Sequence, residues 1–204
     1  MTAVISPVLF DMDDVLSHYD RSARVNHLSA LSGQAPETVQ KAIWGSGLEG
    51  RADAGSVGDE EYLTTMGDLL GCRISRDDWL ASRRASISPN TEVLALAAAL
   101  AARHRGAALT NNCRMVTDHI QFLNPAVAEL FGDQIYSSAS LGAAKPAVDV
   151  YLRCLDRLGA SAAETLFVDD LETNVAGAIS AGLHGHVFTG AESLSAKLRR
   201  LNLL

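Results

Sequence analysis

At 204 residues the chain has room for one sizeable domain, or for a core domain with a small insert. Its apolar fraction of 48% and charged fraction of 20% are ordinary for a soluble globular protein. A net charge of −7 argues against a nucleic-acid surface, and the few basic pairs, Arg83-Arg84 and Arg199-Arg200, read as solvated helix faces.

The opening "MTAVISPVLF" has no basic stretch before its apolar run and ends in acids, unlike a secretory leader. Val8–Phe10, ending at Asp11, reads as a short buried strand with Pro7 at its start. From Asp20 to about Ser88 the pattern turns helical, with candidates at Ser22–Ser32, Pro36–Trp44, Asp59–Leu70 and Asp77–Arg84. The intervening "GSGLEGRADAGSVG" reads as a Gly-rich loop. After Pro89 strands and helices alternate. Helix Thr91–Arg103 precedes strand Ala107–Leu109, and a helical stretch Met115–Phe131, broken near Asn124-Pro125, precedes strand Gln134–Ser137. Helix Ala147–Leu158, strand Thr165–Val168, helix Val175–Ala181, strand His186–Phe188 and helix Glu192–Leu201 complete the chain.

This alternation implies βαβ units and a parallel sheet covered on both faces. The expected fold is α/β, with a Rossmann-like core in residues 1–16 and 89–204 and a helical insert in residues 17–88. "VLALAAALAA" is too short to span a bilayer. Cys72, Cys113 and Cys154 are odd in number and form no CxxC, which suits a reducing cytoplasm.

Ligands of open parallel sheets bind at the carboxyl ends of strands. Asp11 and Asp13, Thr110, and Asp169-Asp170 end three of the expected strands, and Lys145 lies just before a helix. Two residues apart on an extended chain, Asp11 and Asp13 project to one side, and without a counterion one would be forced to protonate. A hard dication such as Mg²⁺ removes that cost. With the charge of Lys145 and the hydroxyl of Thr110, the set suits a dianionic phosphate better than a neutral substrate.

"DMDDV" (Asp11–Val15), Thr110, Lys145-Pro146 and "FVDDLETN" (Phe167–Asn174) resemble, in order, the four motifs of the haloacid dehalogenase-like hydrolases. The helical insert falls where family members with a C1-type cap carry theirs. The resemblance implies a Mg²⁺-dependent phosphomonoesterase, with Asp11 as the nucleophile that becomes an aspartyl phosphate and Asp13 as the general acid and base. Thr110 and the backbone at Asn111 would hold phosphate oxygens, and Lys145 would neutralise the nucleophile and the transferring group. Mg²⁺ would lie on Asp11, the main-chain carbonyl of Asp13 and Asp170, since Asn174 follows Asp170 at the spacing of the family's DxxxN variant. Asp169 would orient the site or hold a metal-bound water. Asp14 stands where the motif more often has glycine. The dehalogenases of the family lack the second aspartate that Asp13 supplies here, so phosphate-ester hydrolysis of a small metabolite, such as a sugar phosphate, is the better reading. The order of acids and the insert also set the chain apart from receiver-type phospho-acceptor domains. Within the insert His18, Tyr19, Trp44 and Arg51 are candidates for substrate contact, as are Asn112 and Arg114 in the core. The expected partner is a phosphorylated small molecule, with neither nucleic acid nor membrane, bound by a monomer or homodimer.

Overall fold

Val8, Leu9 and Phe10 form the central strand of a five-stranded parallel sheet. The computed structural model describes residues 5–204; residues 1–4, part of the stretch read as unlike a leader, lie outside them. In chain order the strands are β1 (Val8–Phe10), β2 (Ser17–Tyr19), β3 (Ile87–Pro89), β4 (Gly106–Thr110), β5 (Ile135–Ser137), β6 (Leu166–Asp169) and β7 (His184–Val187). The sheet runs β5-β4-β1-β6-β7, and β2 pairs with β3 in a separate antiparallel ribbon.

The apolar run of β1 is required by its position. Successive side chains point to opposite faces, and both faces are covered. Val8 and Phe10 join Ala108, Leu166 and Val168 beneath helices Thr91–Ala101, Pro125–Phe131 and Ala191–Arg200. Leu9 joins Ala107, Leu109 and Phe167 beneath helices Val148–Leu158 and Glu172–Ser180. From β1 the sheet grows through β4 and β5 to one side and through β6 and β7 to the other. A crevice therefore opens at the carboxyl ends of β1, β4 and β6.

The ribbon carries the chain away from this crevice and back, with Ser17 opposite Pro89 and Tyr19 opposite Ile87. Asn90 anchors its base: the backbone N–H donates to the Leu16 carbonyl and Nδ2 to the Val15 carbonyl, both at 3.0 Å. Asp14 occupies the turn into β2 with a φ of 61°. Few residues other than glycine tolerate that left-handed region; aspartate is one, which accounts for the glycine usual there. Its carboxylate accepts the Tyr19 N–H at 3.1 Å, closing the turn.

Between the ribbon strands run helices Arg21–Ser32, Pro36–Gln40 with a wider π turn at Lys41–Gly45, Leu48–Asp53, Asp59–Leu70 and Arg76–Ser86. Ser75 and Asp78 form a reciprocal capping box at the last of these. The expected loop around Gly45–Gly58 is corrected, because it contains helix Leu48–Asp53. Leu48 and Ala52, one turn apart, are both buried, and Gly47 with a φ of 74° supplies the left-handed residue before the helix. Packing of that apolar pair outweighs the glycine content.

Smaller departures follow from local capping. The stretch read as Met115–Phe131 is three helices, Arg114–Asp118, Ile120–Leu123 and Pro125–Phe131, the last capped by Asn124. A short helix at Ser138–Leu141 had no expected counterpart. Helix Glu172–Ser180 begins earlier than Val175, which brings Asn174 into its first turn. His184 and His186 both lie within β7. Among the described residues no helix is long and apolar enough to cross a membrane.

Gly177 fixes how closely helix Glu172–Ser180 approaches the loop at Lys145-Pro146, since a Cβ there would stand 2.3 Å from the Pro146 carbonyl oxygen. Gly177→Ala is expected to lower stability by about 1–3 kcal/mol in denaturant titration. A midpoint equal to that of the unmodified protein would contradict this packing.

Candidate active site

Asp11 continues β1 by one residue, and its N–H donates to the Val168 carbonyl at 2.8 Å. Its side chain therefore leaves the sheet at the crevice, beside Thr110 at the end of β4 and Asp169 at the end of β6. Lys145 joins them from the loop before helix Val148–Leu158. Nζ lies 2.7 Å from Asp11 Oδ1 and 2.7 Å from Asp169 Oδ2, so one ammonium bridges two buried carboxylates. Asn111 holds the lysine's backbone: its Oδ1 accepts the Lys145 N–H at 2.8 Å, and its Nδ2 donates to the Lys145 carbonyl at 2.9 Å.

Asp169 has no exposed surface, and its oxygens are committed. Besides Lys145, they accept Asn174 Nδ2 at 3.0 and 3.1 Å and the Leu171 N–H at 2.9 Å. The Asn174 amide thus bonds Asp169 rather than the neighbouring Asp170. Asp170 is half-buried, and one oxygen from each of Asp11, Asp169 and Asp170 lies within 4.8 Å of the other two. Burial pushes the Asp11 carboxyl well above the usual carboxylate range; Lys145 opposes that shift, and Asp169 and Asp13 add to it. Burial, then Asp169 and Asp14, also raise Asp170. Burial works against the charge of Lys145, but Asp11 and Asp169 outweigh it and hold the ammonium protonated. One cation does not balance this group of acids. All-oxygen donors with surplus negative charge fit a hard dication such as Mg²⁺.

Asp13 is held from a different side. Its Oδ2 accepts Asn112 Nδ2 at 3.1 Å and Arg83 Nη2 at 3.4 Å, while Oδ1 is buried with no partner among the described residues. Asn112 Nδ2 also donates to Thr110 Oγ1 at 2.7 Å, and Asn112 Oδ1 accepts Arg83 Nη2 at 2.7 Å. The carboxylate of Asp13 is not one of the three grouped oxygens. Thr110, Asn111 and the acids line a cavity of about 360 Å³ whose far wall is helical, built from Tyr19, Arg21, Trp44, Glu49, Asp53 and Arg83.

A haloacid dehalogenase-like hydrolase model matches residues 5–182. The chain belongs to that family. As a haloacid dehalogenase-like hydrolase, it is 29% identical over 196 residues to a phosphatase of Mycobacterium tuberculosis, covering 90% of this chain and 87% of the relative. Its fold matches a predicted family hydrolase from Porphyromonas gingivalis with a TM-score of 0.81, 25% identity and 98% of each chain covered. It also matches a family enzyme of Bacteroides thetaiotaomicron in complex with magnesium and inorganic phosphate, with a TM-score of 0.74, 19% identity, and 89% and 93% covered. The L-2-haloacid dehalogenase of Xanthobacter autotrophicus shares the fold at a TM-score of 0.63 and 23% identity, with 96% of this chain and 83% of that chain covered.

Several residues of this hydrolase's cavity escape sequence reading. Arg83, expected on a solvated face, is 2% exposed. Helix Arg76–Ser86 buries Trp79, Leu80, Arg83 and Ser86, a helical spacing that brings Arg83 onto the Trp79 face, while Arg84 stays outside. Arg83 Nη1 donates to the Tyr19 hydroxyl at 2.8 Å, and the guanidinium sits 4.7 Å from the centre of that ring. Arg24, fully buried, donates to Glu49 at 2.6 Å and to the Tyr62 hydroxyl at 3.0 Å. Burial works against ionised Glu49, but Arg24 and then Arg83 hold its carboxyl below the usual range. Of the insert's candidates, Tyr19 and Trp44 line the cavity, whereas His18 and Arg51 are exposed outside it. Asn112 belongs to the site, and Arg114 is exposed. Burial, followed by Glu49, pushes the Cys113 thiol up to about 12, which leaves it unreactive near neutral pH.

Arg83→Met is expected to cost about 1–3 kcal/mol, because it removes the partner of buried Asn112 Oδ1 and one of the donors to the Tyr19 hydroxyl and to half-buried Asp13. Arg84→Met is expected to stay within about 0.5 kcal/mol of the unmodified protein. Urea unfolding of the two variants side by side checks the contrast, and equal midpoints would contradict it.

Proposed function

We propose that the protein is a Mg²⁺-dependent phosphomonoesterase that works through an aspartyl phosphate on Asp11. The observation that carries this reading is the convergence of Asp11, Asp169 and Asp170, bridged by a single buried lysine, beside the separately held carboxylate of Asp13. Asp11 and Asp170, with the main-chain carbonyl of Asp13, would hold the metal. When bound it would offset the acids' mutual repulsion and the charge of a phosphate dianion. Asp169, saturated by Lys145, Asn174 and the Leu171 N–H, keeps the lysine in position.

An Asp11 carboxylate oxygen attacks phosphorus while the bond to the leaving alcohol oxygen breaks. Asp13 gives its proton to that oxygen, then takes one from the water that attacks phosphorus and releases inorganic phosphate, restoring the Asp11 carboxylate. Asn112 and Arg83 hold the Asp13 carboxyl in place for this transfer. Thr110 and the backbone at Asn111 receive phosphate oxygens. The helical insert acts as a cap that limits water at the reacting atoms, and the small cavity suits a small metabolite. The Mycobacterium tuberculosis relative, named a phosphatase, supports the same chemistry.

A panel of small phosphate esters should be hydrolysed with added Mg²⁺, with activity lost on chelation. Asp11→Asn and Asp13→Asn are expected to lower turnover by at least about a hundredfold. Equal turnover by Asp11→Asn would sink the proposal, and metal-independent halide release from 2-haloacids would replace it with dehalogenation. Apart from activity, Mg²⁺ at about a hundred times its Kd should stabilise the fold by about 2.7 kcal/mol. That gain should shrink in Asp170→Asn, as read by thermal unfolding with and without the ion.

A further inference from the structure

Three polar side chains on the helical wall of the cavity, those of Glu49, Arg83 and Tyr19, already have partners. Glu49 is taken by Arg24 and the Tyr62 hydroxyl, and Arg83 by Asp13, Asn112 and Tyr19. The Tyr19 hydroxyl accepts from both arginines. Asp53 is different. It lines the cavity, and among the described residues its carboxyl makes no hydrogen bond or ion pair. Its backbone is nonetheless fixed against the core: the Asp53 carbonyl accepts the Ser138 hydroxyl at 2.6 Å, and that hydroxyl also accepts the Asn112 N–H at 3.1 Å. Two residues on, Gly55 approaches so closely that a Cβ would stand 2.6 Å from the Ala139 carbonyl oxygen. The carboxyl is thus held on a rigid mount, beside Asn112 and across from the acids of the sheet.

A half-buried carboxyl with no protein partner, facing the cavity, is free to meet a ligand that supplies a hydrogen-bonding group. We propose that Asp53 selects substrates whose alcohol portion carries further hydroxyl groups, a polyol or sugar phosphate, by hydrogen-bonding one of those hydroxyls. The proposal rests on the phosphomonoesterase reading and names the class of ester within it. Burial, then the neighbouring charge of Glu49, pushes the Asp53 carboxyl up to about 8. Near neutral pH it is largely a carboxylic acid, both donor and acceptor, which complements a hydroxyl better than an ammonium group. Tyr19 and Trp44 add aromatic surface to the same wall. A cavity of about 360 Å³ takes a phosphate and a small polyol.

The test compares three esters of one carbon skeleton, glycerol phosphate, propyl phosphate and aminopropyl phosphate, with the full chain and Mg²⁺. The unmodified protein should favour glycerol phosphate over propyl phosphate in kcat/KM by about tenfold or more. Asp53→Ala should move that ratio toward one, mainly through KM, whereas Asp53→Asn, which keeps a donor and an acceptor, should retain much of it. Because the ratio is taken within one preparation, partial unfolding of a variant does not shift it. The same ratio in all three proteins would overturn the assignment of Asp53, as would a preference for the amine over the polyol. Hydrolysis of none of the three esters would instead overturn the phosphomonoesterase reading, and this proposal with it.

Discussion

The bridge from Lys145 to Asp11 and Asp169 is the constraint on which the rest of the structure depends. Carboxylates gathered at the ends of adjacent parallel strands repel one another, and away from water that repulsion is poorly screened. A single ammonium 2.7 Å from two of them makes the arrangement tolerable without making it neutral. Much of the surrounding sequence keeps that ammonium in place. Asn111 grips its backbone through both amide atoms, Asn174 and the Leu171 N–H complete the shell of Asp169, and Gly177 lets a helix close over the loop. The remaining negative charge is what a dication and a phosphate would use.

The helical insert meets this cluster through a second charged system. Buried Arg24 and Arg83 share Glu49 and Tyr19, Arg24 also holds Tyr62, and Arg83 reaches across to Asp13 and Asn112. Asp13 is thereby held jointly by the core and the insert. Such a network specifies one position of the insert, because leaving a buried guanidinium or carboxylate unpaired is expensive. In the proposed reaction the same contacts orient the proton-transferring oxygen, so the geometry of Asp13 depends on the insert being seated.

The fold was legible where period and punctuation agreed. Each short apolar run ending in an acid or threonine proved to be a strand of the sheet, and helix Asp59–Leu70 begins at its acidic turn and ends at Gly71. The residues at the strand ends were legible for the same reason: a parallel sheet brings carboxyl ends together whatever the sequence distance between them. Asp14 became intelligible only from its left-handed backbone, a property that no side-chain pattern reveals. Arg83 was obscured because a basic pair on a polar helix is usually solvated. Its spacing of one turn from Trp79 was a signal, but only the tertiary fold shows that face turned inward. Glu49 and Asp53 lay in a stretch whose glycines suggested a loop, so their common helix was hidden.

Covalent capture tests the central claim most directly. The protein, mixed with Mg²⁺ and a substrate it turns over, is quenched in acid, and the peptide carrying Asp11 is examined by mass spectrometry. A phosphoryl group on Asp11, formed at a rate at least matching turnover and missing when the metal is chelated, is the predicted result. Turnover with no phosphoryl group on Asp11, or with the group on another residue, would contradict the account.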